Sequence, residues 1–241
     1  MVYFRLRNLF QGISWRCYSK NSISRNAMTN KLVLYGDEAS PPVQFVMMAG
    51  SMLNIEMDFR HIDIFKAENR SDFYTKINPL QKVPALRVDG DVIISDSHAI
   101  AMYLCSISDS QNLYPEDPVT RARVNQLMFF NAGTLFPIDS LIFTQYFRGN
   151  WPPKKTKIEQ WYSALDHLEY RLTNNRWLVN DKMCLGDICC ATTVGSLQLL
   201  VPLLDRHVKL SAWINRIRQL PCFQIHLRGV QRLKAFVETS S

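Results

Sequence analysis

The residues that could do chemistry in this chain fall in three short stretches. The first runs from Asn78 to Ile100. Val83-Pro84-Ala85-Leu86-Arg87-Val88 is an apolar run that opens on a proline, Asp89-Gly90 is a strong hairpin-turn signal, and Val92-Ile93-Ile94 answers it as a second strand. Pro84 forces extended geometry on Val83 and removes one amide donor, which leaves the neighbouring backbone free to pair with something other than protein. After the hairpin, Asp96-Ser97 precedes apolar residues at Ile100, Tyr103 and Leu104, the placement of an N-cap pair. Free amides and a positive helix end converge there and suit a ligand carboxylate. The second stretch is Ser40-Pro41-Pro42, in which prolines tolerated in a first helical turn set the Ser40 hydroxyl beside a helix start. Such a hydroxyl either caps its helix or donates to a thiolate sulfur, whose charge the helix dipole also favours. The third stretch places Phe136, Asp139, Ser140, Phe143, Thr144 and Phe147 on one helical face. The phenylalanines alone make an ordinary core stripe. An acid at Asp139, beside Ile138 and Leu141, is costly unless an arginine such as Arg148 or a ligand hydroxyl satisfies it.

These residues need elements to hold them. Lys31 to Tyr35 reads as a strand, Val43 to Leu53 as an amphipathic helix, Ile55 to Asp63 as a strand and Asp72 to Lys76 as a helix. With the hairpin and the helix after Asp96, the order is thioredoxin-like. The Cys-x-x-Cys of redox proteins with that fold is absent, which argues against disulfide exchange. Tyr35 is expected to pack. Ser106 to Pro118 is polar, turn-rich and proline-ended, so a domain boundary falls there. Beyond it the periodicity is helical, clearest over Ala122 to Phe147, Ile158 to Leu172, Asp187 to Leu200 and Leu210 to Leu220. The expected fold is an α+β thioredoxin-like domain over residues 28–108 followed by an all-α domain over residues 117–241, which holds the apolar site. Met183 to Leu204 is apolar, but Gly186, Asp187, Gln198 and Pro202 interrupt it, so it reads as a buried central helix rather than a membrane span.

A hydrophobic fraction of 47% with 20% charged residues is that of an ordinary globular protein. The net charge of +7 would suggest a nucleic-acid partner, but residues 1–27 hold five basic side chains and no acids, and the rest of the chain holds 23 basic against 21 acidic. A nearly neutral globule has no broad footprint for phosphates, so no nucleic-acid partner is expected. The basic, acid-free N-terminal segment has a transit-peptide composition. It reads either as a mitochondrial presequence or as an extension ahead of a start at Met28, the second placing the protein in the cytoplasm. Six cysteines lack metal-ligand spacing, and Cys189-Cys190 in an apolar run read as small buried hydrophobes. No metal site is expected.

Asn78-Pro79, Val83-Pro84 and Asp96-Ser97-His98-Ala99-Ile100 together resemble the glutathione-binding half of cytosolic glutathione transferases. The resemblance implies that Val83, before a cis-proline, pairs with the cysteinyl part of glutathione and that Asp96 and Ser97, with His98 beside them, hold its glutamyl end. Ser40 would then stabilise the glutathione thiolate. Where the family commonly has histidine two residues before that valine, this chain has Gln81, with Lys82 as a candidate substitute toward the glycyl carboxylate. The helix that Asp187 would cap usually opens with Ser or Thr; Cys184 stands there, and half a capping box is expected to be missing. Adding Ser40-Pro41-Pro42-Val43, Asp63-Ile64-Phe65-Lys66 and Leu135-Phe136-Pro137-Ile138-Asp139-Ser140, the chain is similar to insect epsilon-class transferases and, among them, to the noppera-bo group of ecdysteroid biosynthesis. That likeness implies a sterol or ecdysteroid-precursor site walled by Pro41, Phe65, Phe136, Ser140, Phe143, Thr144 and Phe147, with Asp139 accepting from a steroid hydroxyl. It also implies a homodimer. The rival reading is a non-catalytic, glutathione-dependent steroid carrier.

Overall fold

The computed structural model describes residues 32–108 and 113–239. The basic N-terminal segment and Cys17 lie outside the described residues. Strand β1 (Val33–Gly36) pairs in parallel with β2 (Asp58–His61) and antiparallel with β3 (Ala85–Asp89), and β4 (Val92–Ser95) closes the sheet order β2-β1-β3-β4. The strand expected from Ile55 is shorter because its start is spent elsewhere: the Ile55 amide donates to the Gly50 carbonyl and closes the end of the preceding helix. That helix, α1 (Pro41–Met52), takes prolines in its first turn, where no intrahelical donor is lost. Helix α2 (Asp72–Ile77) is capped by the Ser71 hydroxyl, which accepts from the Tyr74 amide, and α3 (Ser97–Ile107) follows β4 after a single residue.

Among the described residues everything beyond α3 is helical or loop. α4 (Pro118–Phe130), a π turn (Asn131–Leu135) and α5 (Phe136–Phe147) form one continuous helix. The sequence predicts an uninterrupted helix here; Pro137 has no amide to donate to the preceding turn, and the wider turn just before it absorbs the break. By length and composition this 30-residue helix could cross a membrane, but Val124, Leu127, Leu135 and Ile142 are fully buried in the bundle. It packs against α6 (Lys155–Arg171) and α7 (Leu185–Leu197), with α8 (Val208–Arg218) and α9 (Phe223–Thr239) completing the set.

Helix α7 is buried along nearly its whole length. Its buried Asp187 accepts from the amides of Leu178 and Cys184 at 2.9 Å, from the Trp213 indole at 2.9 Å and from the Cys184 thiol at 3.2 Å. The half-missing capping box is therefore corrected: Cys184 occupies the Ser/Thr position and closes the box. All five described cysteines are buried and unpaired.

Candidate functional site

The loop before β3 is tied down from behind. The Tyr74 hydroxyl and the Asn78 side-chain amide both donate to the Lys82 carbonyl at 2.7 Å, and strand pairing begins only at Ala85. Val83, joined to Pro84 by a cis peptide, is thus held just ahead of the ladder, facing a cleft of about 240 Å³. Lys82, Val83, Pro84, Asp96, Ser97 and His98 line that cleft, together with Pro42, two residues after Ser40, and Phe136 and Asn131 from the helical half.

Asp96 has φ 80°, a conformation that a non-glycine residue adopts only when its surroundings impose it. Its Oδ1 accepts from the amides of His98 at 2.9 Å and Ala99 at 3.1 Å, capping α3, yet its side chain stays 63% exposed and open to a ligand. The His98 ring and the Ala99 amide hold its carboxyl below the usual range against the opposing pull of burial. His98 sits with Nδ1 3.5 Å from Ser97 Oγ while its buried Nε2 has no partner. A carboxylate at a helix start can hold an amino-acid-like group, its ammonium on Asp96 and its carboxylate at Ser97, since the amides of His98, Ala99 and Ile100 are already spent on Asp96.

Ser40 is the N-cap residue of α1 by backbone position, but its hydroxyl makes no capping bond. The capping alternative is not realised; Ser40 itself is buried, and Pro42, two residues on, is the residue of this turn that lines the cleft. Tyr35, at the end of β1, packs edge-on to Phe73 and under the Arg87 guanidinium.

Several expected site residues are placed otherwise. Gln81 has φ 56°, and its side-chain amide donates to the Thr75 hydroxyl at 3.1 Å; Lys82 lines the cleft and Gln81 does not. Pro41 is buried in the first turn of α1, leaving Pro42 as the proline at the cleft. The single helical face also splits: Asp139 and Phe143 are buried and Phe136 and Phe147 half-buried, whereas Ser140 and Thr144, at the edge of the stripe, are exposed. Arg148 does not pair with Asp139. It closes the exposed end of α5.

Asp139 is 2% exposed and its Oδ1 has no hydrogen-bond partner. Burial pushes its carboxyl well above the usual range, as expected of an acid without a compensating charge. Asp187 shows the contrast, a buried carboxylate with every partner supplied by the fold. Along the same helix, Phe143 stacks on Phe147 at 5.9 Å, and Phe147 meets Phe65 and, from α9, Phe236. Phe236 lies flat on Phe65 with centroids 3.8 Å apart. Sequence reading missed both Phe236 and α9; the phenylalanine recurs at helical spacing from Phe223, His226, Gly229 and Leu233, which was the available signal.

A larger groove, about 530 Å³, lies between the 118–147 helix and α6 and contains none of the expected site residues. Ligand atoms of Asp37, His61 and Asp63 converge within 4.8 Å, but the Arg232 guanidinium bonds both carboxylates there, and a cation has no place beside it.

The family model of the glutathione S-transferase N-terminal domain matches residues 34–112, and that of the C-terminal domain matches residues 134–221. The chain belongs to the glutathione S-transferase family. This transferase is 33% identical over 198 residues to glutathione S-transferase 1 of Manduca sexta, covering 80% of this chain and 90% of that one. Among solved structures it resembles an epsilon-class glutathione S-transferase from the housefly, Musca domestica, with TM-score 0.82 and 33% identity over 88% of this chain and 99% of that one. A glutathione transferase homologue from Drosophila mojavensis, solved with bound glutathione, gives TM-score 0.82 at 33% identity, covering 88% and 98%. The fold is accordingly the glutathione transferase fold, a thioredoxin-like domain followed by an all-helical one, and glutathione is the transferase's co-substrate.

Proposed function

We propose that this glutathione transferase conjugates glutathione to apolar substrates that carry a hydroxyl at one end, with a sterol or ecdysteroid precursor as the physiological class, as in the noppera-bo group. In this reading Asp96 holds the α-ammonium of the glutamyl residue and Ser97, through its amide and hydroxyl, holds its carboxylate. The Val83 backbone pairs with the cysteinyl residue. Lys82, in place of Gln81, reaches the glycyl carboxylate. The thiol gives its proton to water, the Ser40 hydroxyl donates to the resulting thiolate, and the sulfur attacks the electrophilic carbon as its leaving group departs.

The observation that carries the substrate class is Asp139, a buried carboxyl with an unpaired Oδ1 on the helix that presents Phe143 and Phe147. A buried polar atom without a protein partner is expensive, and a ligand hydroxyl would supply the missing bond. Exposed Val119 and Phe129 on α4 and Val92 on the edge strand β4 support assembly of two copies, and we place the dimer in the cytoplasm.

Titration of the full chain with a 3-hydroxysteroid, alongside conjugation of chlorodinitrobenzene, tests this reading. Wild type binds the steroid and turns over. Asp139→Ala loses steroid affinity by about 10- to 100-fold, the range for a hydrogen bond to a buried polar group. Steroid binding without turnover at any glutathione concentration would turn the protein into a carrier, and equal steroid affinity in Asp139→Ala would remove the steroid assignment.

A further inference from the structure

We propose that Arg232, on α9, is a positioning residue for Ser40, and that the face of α9 running through His226, Gly229, Arg232 and Phe236 sets the thiolate side and the aromatic wall of the active site together. This inference rests on the reading of Ser40 as the group that stabilises the thiolate.

The Ser40 hydroxyl has no bond to its own helix, so its place is inherited from the backbone of residues 37–40. Asp37 is the pivot of that loop: its carbonyl accepts from the Ser40 amide at 2.9 Å and its Oδ1 from the Ala39 amide at 2.9 Å. Asp37 is fully buried, and a buried carboxylate stays where it is only while something pairs with it. The partner is Arg232, whose Nε donates to Oδ1 at 2.7 Å and Nη2 to Oδ2 at 2.9 Å, a two-pronged contact that fixes orientation as well as distance.

The same Nη2 lies 3.1 Å from Asp63 Oδ1, which also accepts from the amides of Phe65 and Lys66, and the guanidinium lies 5.2 Å over the Phe65 ring. One side chain therefore ties the Ser40 loop to the loop bearing the aromatic wall. Its neighbours on α9 press the same loop. Arg228 pairs with Glu38 at 2.9 Å, and at Gly229 an added Cβ would collide with the Glu38 carbonyl and the Gln44 amide, which themselves bond at 2.7 Å. A displacement of about 1 Å at such a site costs on the order of 10²-fold in rate.

The test uses the full chain as wild type, Ser40→Ala, Arg232→Lys and Gly229→Ala, with circular dichroism and thermal melting to establish folding. The readouts are the pKa of glutathione bound to each protein, followed by thiolate absorbance, the Kd of glutathione, and kcat at acidic pH. Lysine keeps the charge but not the fork, and alanine at residue 229 keeps the fork but moves the loop. Both variants are expected to raise the bound thiol's pKa by about one unit and lower kcat below it about tenfold, with the Kd of glutathione unchanged. If Ser40→Ala raises the pKa while both folded α9 variants keep the wild-type value, even at a lower melting temperature, α9 is merely structural and the proposal is overturned. If Ser40→Ala itself leaves the pKa unchanged, the role assigned to Ser40 fails first and takes this one with it.

Discussion

His226 Nδ1 lies 2.7 Å from Gln44 Oε1, joining α9 to α1 across 182 residues of chain. The imidazole is buried and, by that burial and then by the nearby Arg218 charge, is pushed down to about 4 from the usual 6.5. In the fold it is a neutral donor from Nδ1. The unfolded chain takes up a proton near pH 6.5 that the folded one refuses, so stability is complete above that pH and falls as pH drops toward 4. The loss reaches about 3 kcal/mol at the bottom of the window. Urea unfolding from pH 7.5 to 4 should show this decline in wild type and a flatter curve in His226→Gln, whose amide can still donate to Gln44. Equal slopes would mean that another group carries the acid sensitivity.

Asp139 works in the opposite direction. Its carboxyl is raised by burial, so the fold prefers it protonated, and each pH unit above the unfolded pKa of about 4 costs up to about 1.4 kcal/mol until the folded pKa is passed. Asp139→Asn is free of that cost. Its melting temperature should gain on wild type progressively from pH 4.5 to 7.5; parallel curves would show that Asp139 is charged and paired in the apo protein.

Most of what shapes the cleft between Val83 and Ser97 was legible because it is local. The proline before β3, the Asp-Gly turn and the Asp96 cap are contiguous signals that no tertiary contact overrides. The central helix was legible for the same reason. What was missed depends on contacts distant in sequence: Arg232 on Asp37, Phe236 on Phe65 and His226 on Gln44 all come from α9, whose arginine, glutamine and lysine content hides a narrow apolar stripe. The helical face through Asp139 was read from spacing alone, which cannot say that its edge residues Ser140 and Thr144 turn outward. Gln81 was misplaced because a left-handed backbone, unexpected for glutamine, swings its side chain to Thr75.

Phe236 should govern the apolar substrate more than glutathione. Phe236→Ala removes a flat stack on Phe65 and an edge contact with Phe147, a loss of about 1–2 kcal/mol in stability. Steady-state kinetics should show the KM of an apolar electrophile moving while the KM of glutathione holds. Equal movement of both would place Phe236 outside the apolar wall.

Lys82 and Gln81 should separate cleanly. Lys82→Ala is expected to raise the KM of glutathione by up to about fivefold, as for an exposed ion pair, and Gln81→Ala to leave it alone. The reverse order would return the glycyl contact to Gln81.

Ser40 as the donor to the thiolate is most directly tested by kcat/KM for chlorodinitrobenzene in wild type and Ser40→Ala, with glutathione affinity measured separately by calorimetry. Loss of one donor to a developing anion should lower kcat/KM by about 10²- to 10³-fold while glutathione still binds. Wild-type turnover in the folded Ser40→Ala protein would contradict it and assign the thiolate to another donor.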